Sequence, residues 1–436
     1  MVKVITYGTF DLLHYGHIRL LERAKALGDY LIVGVTSDDY DKSRGKINNQ
    51  QSLMERIAAV RATGLADEII VEEYDGQKID DIRRFGADVF TVGSDWTGKF
   101  DYLNEYCHVI YLPRTEGVSS TELRTERRKL RLGIVGFTTF LDKFVAECEC
   151  VNGVDVASRF ELSGTEADQK ALENFLETVD AVYIVAPPEQ HYFIARTALE
   201  KGRHVLCESP IATKEDEFGS LLALAEQKGL VLMEGIKTAF STAYERLILL
   251  AKSGKIGQIV SVDATCTSIR KNTPVRARWN SISAWGPTAL LPIFQLLGTD
   301  YQAMMISTRF LDEAANLDAF TKIDFTYSNA VASIKVAEGA KSEGNLIVSG
   351  TEGYIYVPAP WWKTDYFELR YENPKDNKRY FYQLDGEGIR YEIVAFARSI
   401  NNPGEKSYIS EKVSLAITKV MENFDARLHF TRLGDD

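Results

Sequence analysis

The sequence is short of cysteine, histidine, positive charge and long apolar runs, and each shortage removes an explanation. Five cysteines in 436 residues (Cys107, Cys148, Cys150, Cys207 and Cys266) show neither zinc-site spacing nor a secreted disulfide framework. Cys148 and Cys150 are one residue too close for C-x-x-C. Lys and Arg total 51 against 62 Asp and Glu, a net charge of −11, which excludes a nucleic-acid-coating role. The longest uncharged run, Trp279 to Thr299, contains Asn, Ser, Gln and two Pro, so it reads as a buried loop and helix and not as a membrane span. Met1-Val2-Lys3 reads straight into a strand, so no signal peptide is expected and the expected compartment is cytoplasmic. No internal repeat or low-complexity segment is present. The length exceeds one ordinary core and implies two or three domains.

What is present is concentrated near the start. Val2 to Tyr7 reads as a strand and Ile18 to Leu27 has apolar residues at helical spacing. Between them lies Gly8-Thr9-Phe10-Asp11-Leu12-Leu13-His14-Tyr15-Gly16-His17. Two histidines three apart, where a strand gives way to a helix, stand where an open parallel sheet binds ligands. A helix N-terminus there offers N–H groups and a positive dipole end to phosphate. Gly16 permits close backbone approach, and imidazoles can donate to a phosphoryl oxygen as charge builds on it.

This stretch resembles the H-x-G-H nucleotidyltransferases, and residues 1 to about 125 resemble the glycerol-3-phosphate cytidylyltransferase family. A second signature, Arg114-Thr115-Glu116-Gly117-Val118-Ser119-Ser120-Thr121, is similar to that family's R-T-E-G-I-S-T-T. Strands at 2–7, 30–36, 68–72, 88–92 and 108–112 alternate with helices at 17–27, 52–64, 77–85 and 101–106, which implies a parallel sheet covered on both faces. Ser37 to Lys46 is similar to the family loop whose lysines reach phosphates, with Arg44 and Lys46 at those two positions. Arg56 falls where the family has a substrate-facing arginine. Gly93 to Asp101 resembles the family's G-D-D-W-x-G-K-F-D, so Asp95 and Trp96 are expected at the second substrate. Ser119, Ser120 and Thr121 can cap the following helix or bind a nucleotide phosphate, with Arg114 and Thr115 at the triphosphate. The family's tryptophan ahead of the fourth helix is absent from Glu72 to Lys78, which leaves the acceptor open. The resemblance implies that an acceptor phosphate attacks the α-phosphorus of CTP in line, with His14 and His17 supporting the centre, Mg²⁺ on triphosphate oxygens and Asp11 as a conceivable ligand.

A second α/β pattern begins at Leu130, with strands at 130–137, 154–158, 181–186, 204–208 and 231–235 and helices at 169–177, 190–201 and 215–228. Of a G-x-G-x-x-G register only Gly136 is present; Thr138 and Leu141 replace the other two glycines. Ala186-Pro187-Pro188-Glu189-Gln190-His191 and Glu208-Ser209-Pro210 nevertheless resemble the glucose–fructose oxidoreductase and inositol dehydrogenase family, over residues 130 to 436. That resemblance implies NAD(P) at Gly136, Phe137, Thr138, Ser158, Arg159, Ala186, Pro187, His191 and Glu208. An arginine at 159 favours the 2′-phosphate of NADP. The family's E-K-P lysine is Ser209 here. Lys237, just past a strand, is a candidate proton donor, and an ordinary surface lysine is the alternative. Residues 259–264, 319–338 and 344–357 read as strands of a sheet domain.

The expected fold is α/β: a nucleotidyltransferase Rossmann-like domain (1–128), a second Rossmann domain (129–250) and a C-terminal α+β sheet domain (251–436). The expected function is a bifunctional cytidylyltransferase and reductase that makes a CDP-polyol for surface polysaccharide. Its partners would be CTP, a small phosphorylated polyol or sugar, Mg²⁺ and NADP, with no nucleic acid or membrane, in a homodimer. The alternatives are an active transferase whose second half serves only binding or dimerisation, and a CTP sensor that turns nothing over.

Overall fold

The computed structural model describes residues 1–43, 49, 51–74, 76–113, 130–136, 141–151, 153–161, 167–269, 280–382, 384–401 and 408–434. The chain forms two compact units, Met1–Lys129 and Leu130–Asp436.

In the first unit, β1 (Lys3–Gly8), α1 (Tyr15–Lys25), β2 (Tyr30–Thr36), α2 (Asp38–Ser43), α3 (Leu53–Ala62), β3 (Glu68–Glu72), α4 (Gln77–Phe85), β4 (Val89–Gly93) and β5 (His108–Leu112) follow in order. The five strands are all parallel, in the order β3-β2-β1-β4-β5. Successive β1 side chains serve opposite faces: Val4 packs with Leu21, Leu31, Val33 and Ile57, and Ile5 packs with Ile32, Ile82 and Phe90. Strand order reverses between β1 and β4, so a ligand crevice opens at their carboxyl ends. Ser52 and Glu55 form a capping box that starts α3. The segment after β2, read from sequence as a loop, begins as the short helix α2. The helix expected at 101–106 is a 3₁₀ turn, Asp101–Glu105.

The second unit opens with β6 (Leu130–Gly136), α5 (Leu141–Glu149), β7 (Val154–Phe160), α6 (Ala167–Leu176), β8 (Ala181–Val185), α7 (Pro188–Glu200), β9 (His204–Glu208), α8 (Glu215–Lys228) and β10 (Leu232–Gly235). These strands too are parallel, in the order β10-β9-β8-β6-β7, with the reversal between β6 and β8. After α9 (Thr242–Lys252) come β11 (Ile259–Thr267), α10 (Ser281–Leu297), β12 (Ala303–Asp312), β13 (Leu317–Thr326), β14 (Val331–Ala337), β15 (Leu346–Gly350), β16 (Tyr354–Val357), β17 (Tyr366–Arg370), β18 (Lys378–Phe381), α11 (Ile389–Asn401), α12 (Glu411–Asp425) and β19 (Phe430–Arg432). Nine of these strands form one mostly antiparallel sheet, β18-β17-β16-β15-β11-β14-β13-β12-β19. The apolar runs 319–338 and 344–357 each divide in two, at turns closed by Tyr327 N–H to Ala330 O and Gly350 N–H to Gly353 O, both 2.8 Å. The uncharged run around residues 279–299 supplies α10, whose Ile282, Ala289, Leu290, Leu291 and Ile293 are buried. Among the described residues no helix is long and apolar enough to cross a membrane.

Candidate functional site

In the first unit the chain leaves β1 at Gly8 and passes through two left-handed residues, Phe10 (φ 54°) and Leu12 (φ 48°). Such conformations cost on the order of 1–3 kcal/mol each and gather at functional loops. Phe10 is buried with its ring against Gly8, where a Cβ would stand 3.0 Å from the ring. The edge of Phe10 meets His17 at 5.6 Å, and His17 stacks on His14 with ring centroids 3.9 Å apart. His14 is the N-cap of α1, and its Nδ1 accepts the Gly16 N–H at 3.0 Å. A neutral imidazole that accepts at Nδ1 carries its proton on Nε2. The Gly16 amide is committed to that cap, so what Gly16 offers a phosphate is its missing Cβ.

Behind this loop lies a buried polar frame. Asp11, 2% exposed, accepts from Gln51 N–H at 3.0 Å, and Gln51 Oε1 accepts from Leu12 N–H at 2.8 Å. Thr9 Oγ1 donates to Asp41 at 3.1 Å, and the same carboxylate accepts from Asn49 at 3.1 Å. Arg56 is fully buried. It donates to Thr9 O (2.7 Å), Thr36 O (2.8 Å) and Gln51 O (3.2 Å) and pairs with Asp38. The arginine expected from sequence at the substrate has its guanidinium engaged by the loops after β1 and β2, which it pins together from beneath. Among the described residues no group of three or more His, Cys, Asp or Glu could hold a metal ion. Asp11 braces the loop, which fits a magnesium ion carried mainly by triphosphate oxygens better than one held by a protein cage.

A second buried network joins the ends of β1, β2 and β3 to the start of α4. Tyr7 Oη donates to Asp81 at 2.9 Å, and Gln77 donates to the same carboxylate at 3.0 Å. Lys78 pairs with Glu72, which also accepts from Thr36 at 2.8 Å, and the ammonium sits 4.8 Å from the centre of the Tyr7 ring. Burial, reinforced by Asp81, pushes the Tyr7 phenol far up, so it stays protonated. After β4, Asp95 is exposed and Trp96 is half-buried against Phe100, with ring centroids 5.7 Å apart. Arg44, Lys46, Arg114, Thr115, Ser119, Ser120 and Thr121 lie outside the described residues, as do Phe137 and Thr138.

In the second unit β6 ends at Gly136, with φ at 111°. A Cβ there would come 2.5 Å from Val185 O, so only glycine lets the chain turn flush against β8 at the strand-order reversal. At the end of β7, Ser158 Oγ is buried without a hydrogen-bond partner among the described residues, and Arg159 lies 3.6 Å from the exposed Asp142. An orphaned hydroxyl and a loosely held guanidinium at this strand end fit the polar groups of a nicotinamide dinucleotide. Ala186 and Pro187 form the turn into α7. His191 is fully buried, with one ring nitrogen 2.7 Å from Ala186 O and the other 2.7 Å from Pro210 O. Its side chain ties the loop after β8 to the loop after β9.

Where the family carries its lysine, Ser209 Oγ donates to Glu234. Burial raises the Glu234 carboxyl to about 7 against the hydrogen bonds from Ser209 and Ser414. Glu208 accepts from Tyr183, whose ring stacks on Phe144 at 3.9 Å, and burial raises Glu208 as well. Glu392 of α11 stands against the end of β10, where a Cβ on Gly235 would meet its Oε1 at 2.8 Å. Burial and the Glu208 charge push Glu392 well up. The Lys237 charge opposes both shifts without cancelling them, and its Nζ lies 4.0 Å from Glu387. Sequence reasoning found Lys237 but not Tyr183, Glu234, Glu387 or Glu392, which come from distant segments.

Residues 5–126 match the cytidylyltransferase-like family, and residues 132–236 match the oxidoreductase family with an NAD-binding Rossmann fold. The glycerol-3-phosphate cytidylyltransferase of Bacillus spizizenii is 51% identical over 130 residues, 30% of this chain and all of that one. The dTDP-3,4-didehydro-2,6-dideoxy-alpha-D-glucose 3-reductase of Saccharopolyspora spinosa is 30% identical over 148 residues, 30% of this chain and 44% of that one. A 3-ketoreductase from Actinomadura kijaniata, solved with NADP and TDP-benzene, superposes with a TM-score of 0.59 at 17% identity, over 70% of this chain and 100% of its own.

Proposed function

Because the chain belongs to the cytidylyltransferase-like family through its first unit, we propose that this unit transfers CMP from CTP to a small phosphorylated polyol or sugar. We propose that the second unit reduces the same carbon skeleton with NADPH, so that the pair yields a CDP-polyol for surface polysaccharide. The observation that carries the transferase reading is the stacked His14–His17 pair at the N-terminus of α1, with its donor tautomer set by the Gly16 amide. An acceptor phosphate oxygen bonds to the α-phosphorus of CTP as the bond to pyrophosphate breaks. The two imidazoles and the helix terminus favour the charge that gathers on the phosphoryl oxygens. Arg56 and Asp11 hold the loop in that geometry from below. Mg²⁺, when bound, neutralises triphosphate charge.

For the second unit, the Gly136 turn, the orphaned Ser158 hydroxyl and Arg159 support a phosphorylated nicotinamide dinucleotide. NADPH, when bound, supplies the hydride. Lys237 would hold or release a proton at the carbonyl oxygen in place of the family's lysine. The hydrogen bond from Ser209 to Glu234 favours a second reading, in which this unit binds or dimerises without turnover.

The test is pyrophosphate release from CTP across glycerol 3-phosphate, ribulose, fructose and hexitol phosphates, with and without NADPH. Release with a keto-sugar phosphate accompanied by NADPH oxidation is expected. Release with a polyol phosphate and no NADPH use in any condition would establish the second reading.

A further inference from the structure

Two tryptophans from distant segments meet in the second unit. Trp285, on α10, and Trp362, in the 3₁₀ turn Trp361–Lys363, lie with ring centroids 4.9 Å apart and their planes at 57°. Both are half-buried, whereas the neighbouring Trp361 is fully buried and donates from Nε1 to Thr265 O at 3.1 Å. Trp361 anchors the turn in the sheet and leaves Trp362 partly open. Gly344 makes room for the Trp362 ring, since a Cβ there would come 2.8 Å from its Cζ3.

The turn is fixed beside the end of β10. Thr238 Oγ1 donates to Trp362 O at 2.9 Å, so the residue that follows Lys237 holds the tryptophan backbone. Lys363 Nζ lies 2.8 Å from Glu387 Oε1, and the same oxygen is 2.8 Å from Lys143 Nζ on α5, the helix that follows the Gly136 turn. Glu387 thereby ties the tryptophan turn to that helix. The aromatic pair accordingly stands next to strand ends of the kind where an open parallel sheet binds its ligands. Trp285 Nε1 is enclosed and has no hydrogen-bond partner among the described residues. Buried N–H groups are nearly always paired, so this one calls for an acceptor from outside the chain. A partly open indole face beside an idle N–H donor matches the two-sided chemistry of a sugar skeleton. Its C–H groups cover an aromatic ring and its hydroxyls accept a hydrogen bond.

We propose that Trp285 and Trp362 form the wall against which the carbon skeleton of the reductase unit's substrate packs, with Trp285 Nε1 donating to one of its hydroxyls. The proposal rests on the reductase reading and deepens it: the substrate is a keto sugar or its phosphate, whose C–H face meets Trp362 while its carbonyl reaches Lys237. The two tryptophans set specificity and take part in no proton or hydride step.

The test is tryptophan emission of the full chain in a Trp96→Phe background, which leaves tryptophans only in the second unit. It is titrated with ribulose 5-phosphate and with fructose 6-phosphate, and with inorganic phosphate as the arm that lacks a carbon skeleton. NADP⁺ is present, so that nothing is reduced. At least one ketose phosphate is expected to change the emission saturably, and phosphate alone is not. Trp362→Leu raises the half-saturating concentration about tenfold, and Trp362→Phe, which keeps a ring, recovers most of the loss. Trp285→Phe keeps a ring but removes the N–H, and raises it about threefold to tenfold. No saturable response to either ketose phosphate, an equal response to phosphate alone, or an unchanged half-saturation in Trp362→Leu overturns the proposal. A loss in Trp362→Leu that Trp362→Phe does not recover, or one that carries NADPH affinity down with it, marks a structural role and overturns it too. If Trp362→Leu does not fold, Trp285→Phe decides, and an unchanged half-saturation there overturns the proposal equally. NADPH binding, followed by energy transfer from tryptophan, reports on the reductase reading by itself: its absence sinks that reading, whereas normal NADPH binding without a ketose response sinks only the wall.

Discussion

His14 Nδ1 accepts the backbone N–H of Gly16 at 3.0 Å, which makes one imidazole both the cap of α1 and an oriented donor. The cap fixes the tautomer, and the stack on His17 fixes the plane of the ring. Under the proposed function local stability and chemistry share this side chain, and a substitution at 14 disturbs both unless the replacement keeps one of them.

Asparagine separates the two roles, because it caps helices well but lacks an Nε2–H. His14→Asn is expected to keep its melting temperature near that of the unaltered protein, while pyrophosphate release falls roughly 10²–10³-fold. His14→Ala loses the same rate and also about 0.5–2 kcal/mol of stability. Near-normal turnover in His14→Asn would reduce the histidine to a cap.

Arg56 is the other fixed point of the loop, and its charge is fully buried. Arg56→Met leaves Asp38 without its ion pair and the carbonyls of Thr9, Thr36 and Gln51 without this donor. Asp38 is about a third exposed and water can serve it, so the loss comes mainly from the carbonyls left without a donor and is expected at about 1–3 kcal/mol, which urea unfolding of the first unit would read. Arg56→Lys should recover little, since one ammonium cannot replace a fork that serves four acceptors. A loss below about 1 kcal/mol would show that the arginine is not the tie the geometry describes.

The sequence located β2, β3, β5, α4, β9 and α8 to the residue, because each apolar run ends at a clear breaker or charge. It passed over α2, whose Asp-Asp-Tyr-Asp-Lys-Ser has weak helix propensity. It also passed over β12, β17, β18 and β19, short or mixed strands whose place is set by neighbours in the sheet. The histidine pair was legible because both rings come from one turn of chain at the start of α1. The buried roles of Arg56 and His191 were not, because a motif gives a residue's position and not the direction of its side chain. Glu387 was still harder to see, since the lysines it pairs with, Lys143, Lys237 and Lys363, come from segments far apart in the chain.

Lys237 is the one proton-donor candidate that the sequence named in the second unit. Lys237→Met is expected to lower NADPH-dependent reduction by about 10²–10⁴-fold, the usual weight of a general acid. Cytidylyl transfer, measured on the same sample by pyrophosphate release, should not change. Parallel loss of both activities would point to misfolding, and loss of neither would return Lys237 to an ordinary surface lysine.

Glu234 gives a pH signature that needs no substrate. Its carboxyl titrates near 7 in the folded chain because burial raises it, against about 4.3 in an unfolded one. Between those values the folded state holds a proton that the unfolded state has released. Stability therefore falls as pH rises through that window and levels off above about 7, by a total on the order of 3 kcal/mol from this group. Glu208 and Glu392, also raised by burial, add slopes of the same sign, so the difference between Glu234→Gln and the unaltered protein is the informative quantity. The amide keeps the partner of Ser209 and has nothing to ionise. Urea midpoints at pH 5, 6, 7 and 8 can follow tryptophan emission, since Trp279, Trp285, Trp361 and Trp362 all lie in the second unit. The variant's advantage over the unaltered protein should grow from pH 5 to pH 7 and change little between pH 7 and pH 8. Equal midpoints at every pH would mean that Glu234 is ionised in the folded state and that the Ser209 and Ser414 hydroxyls outweigh its burial.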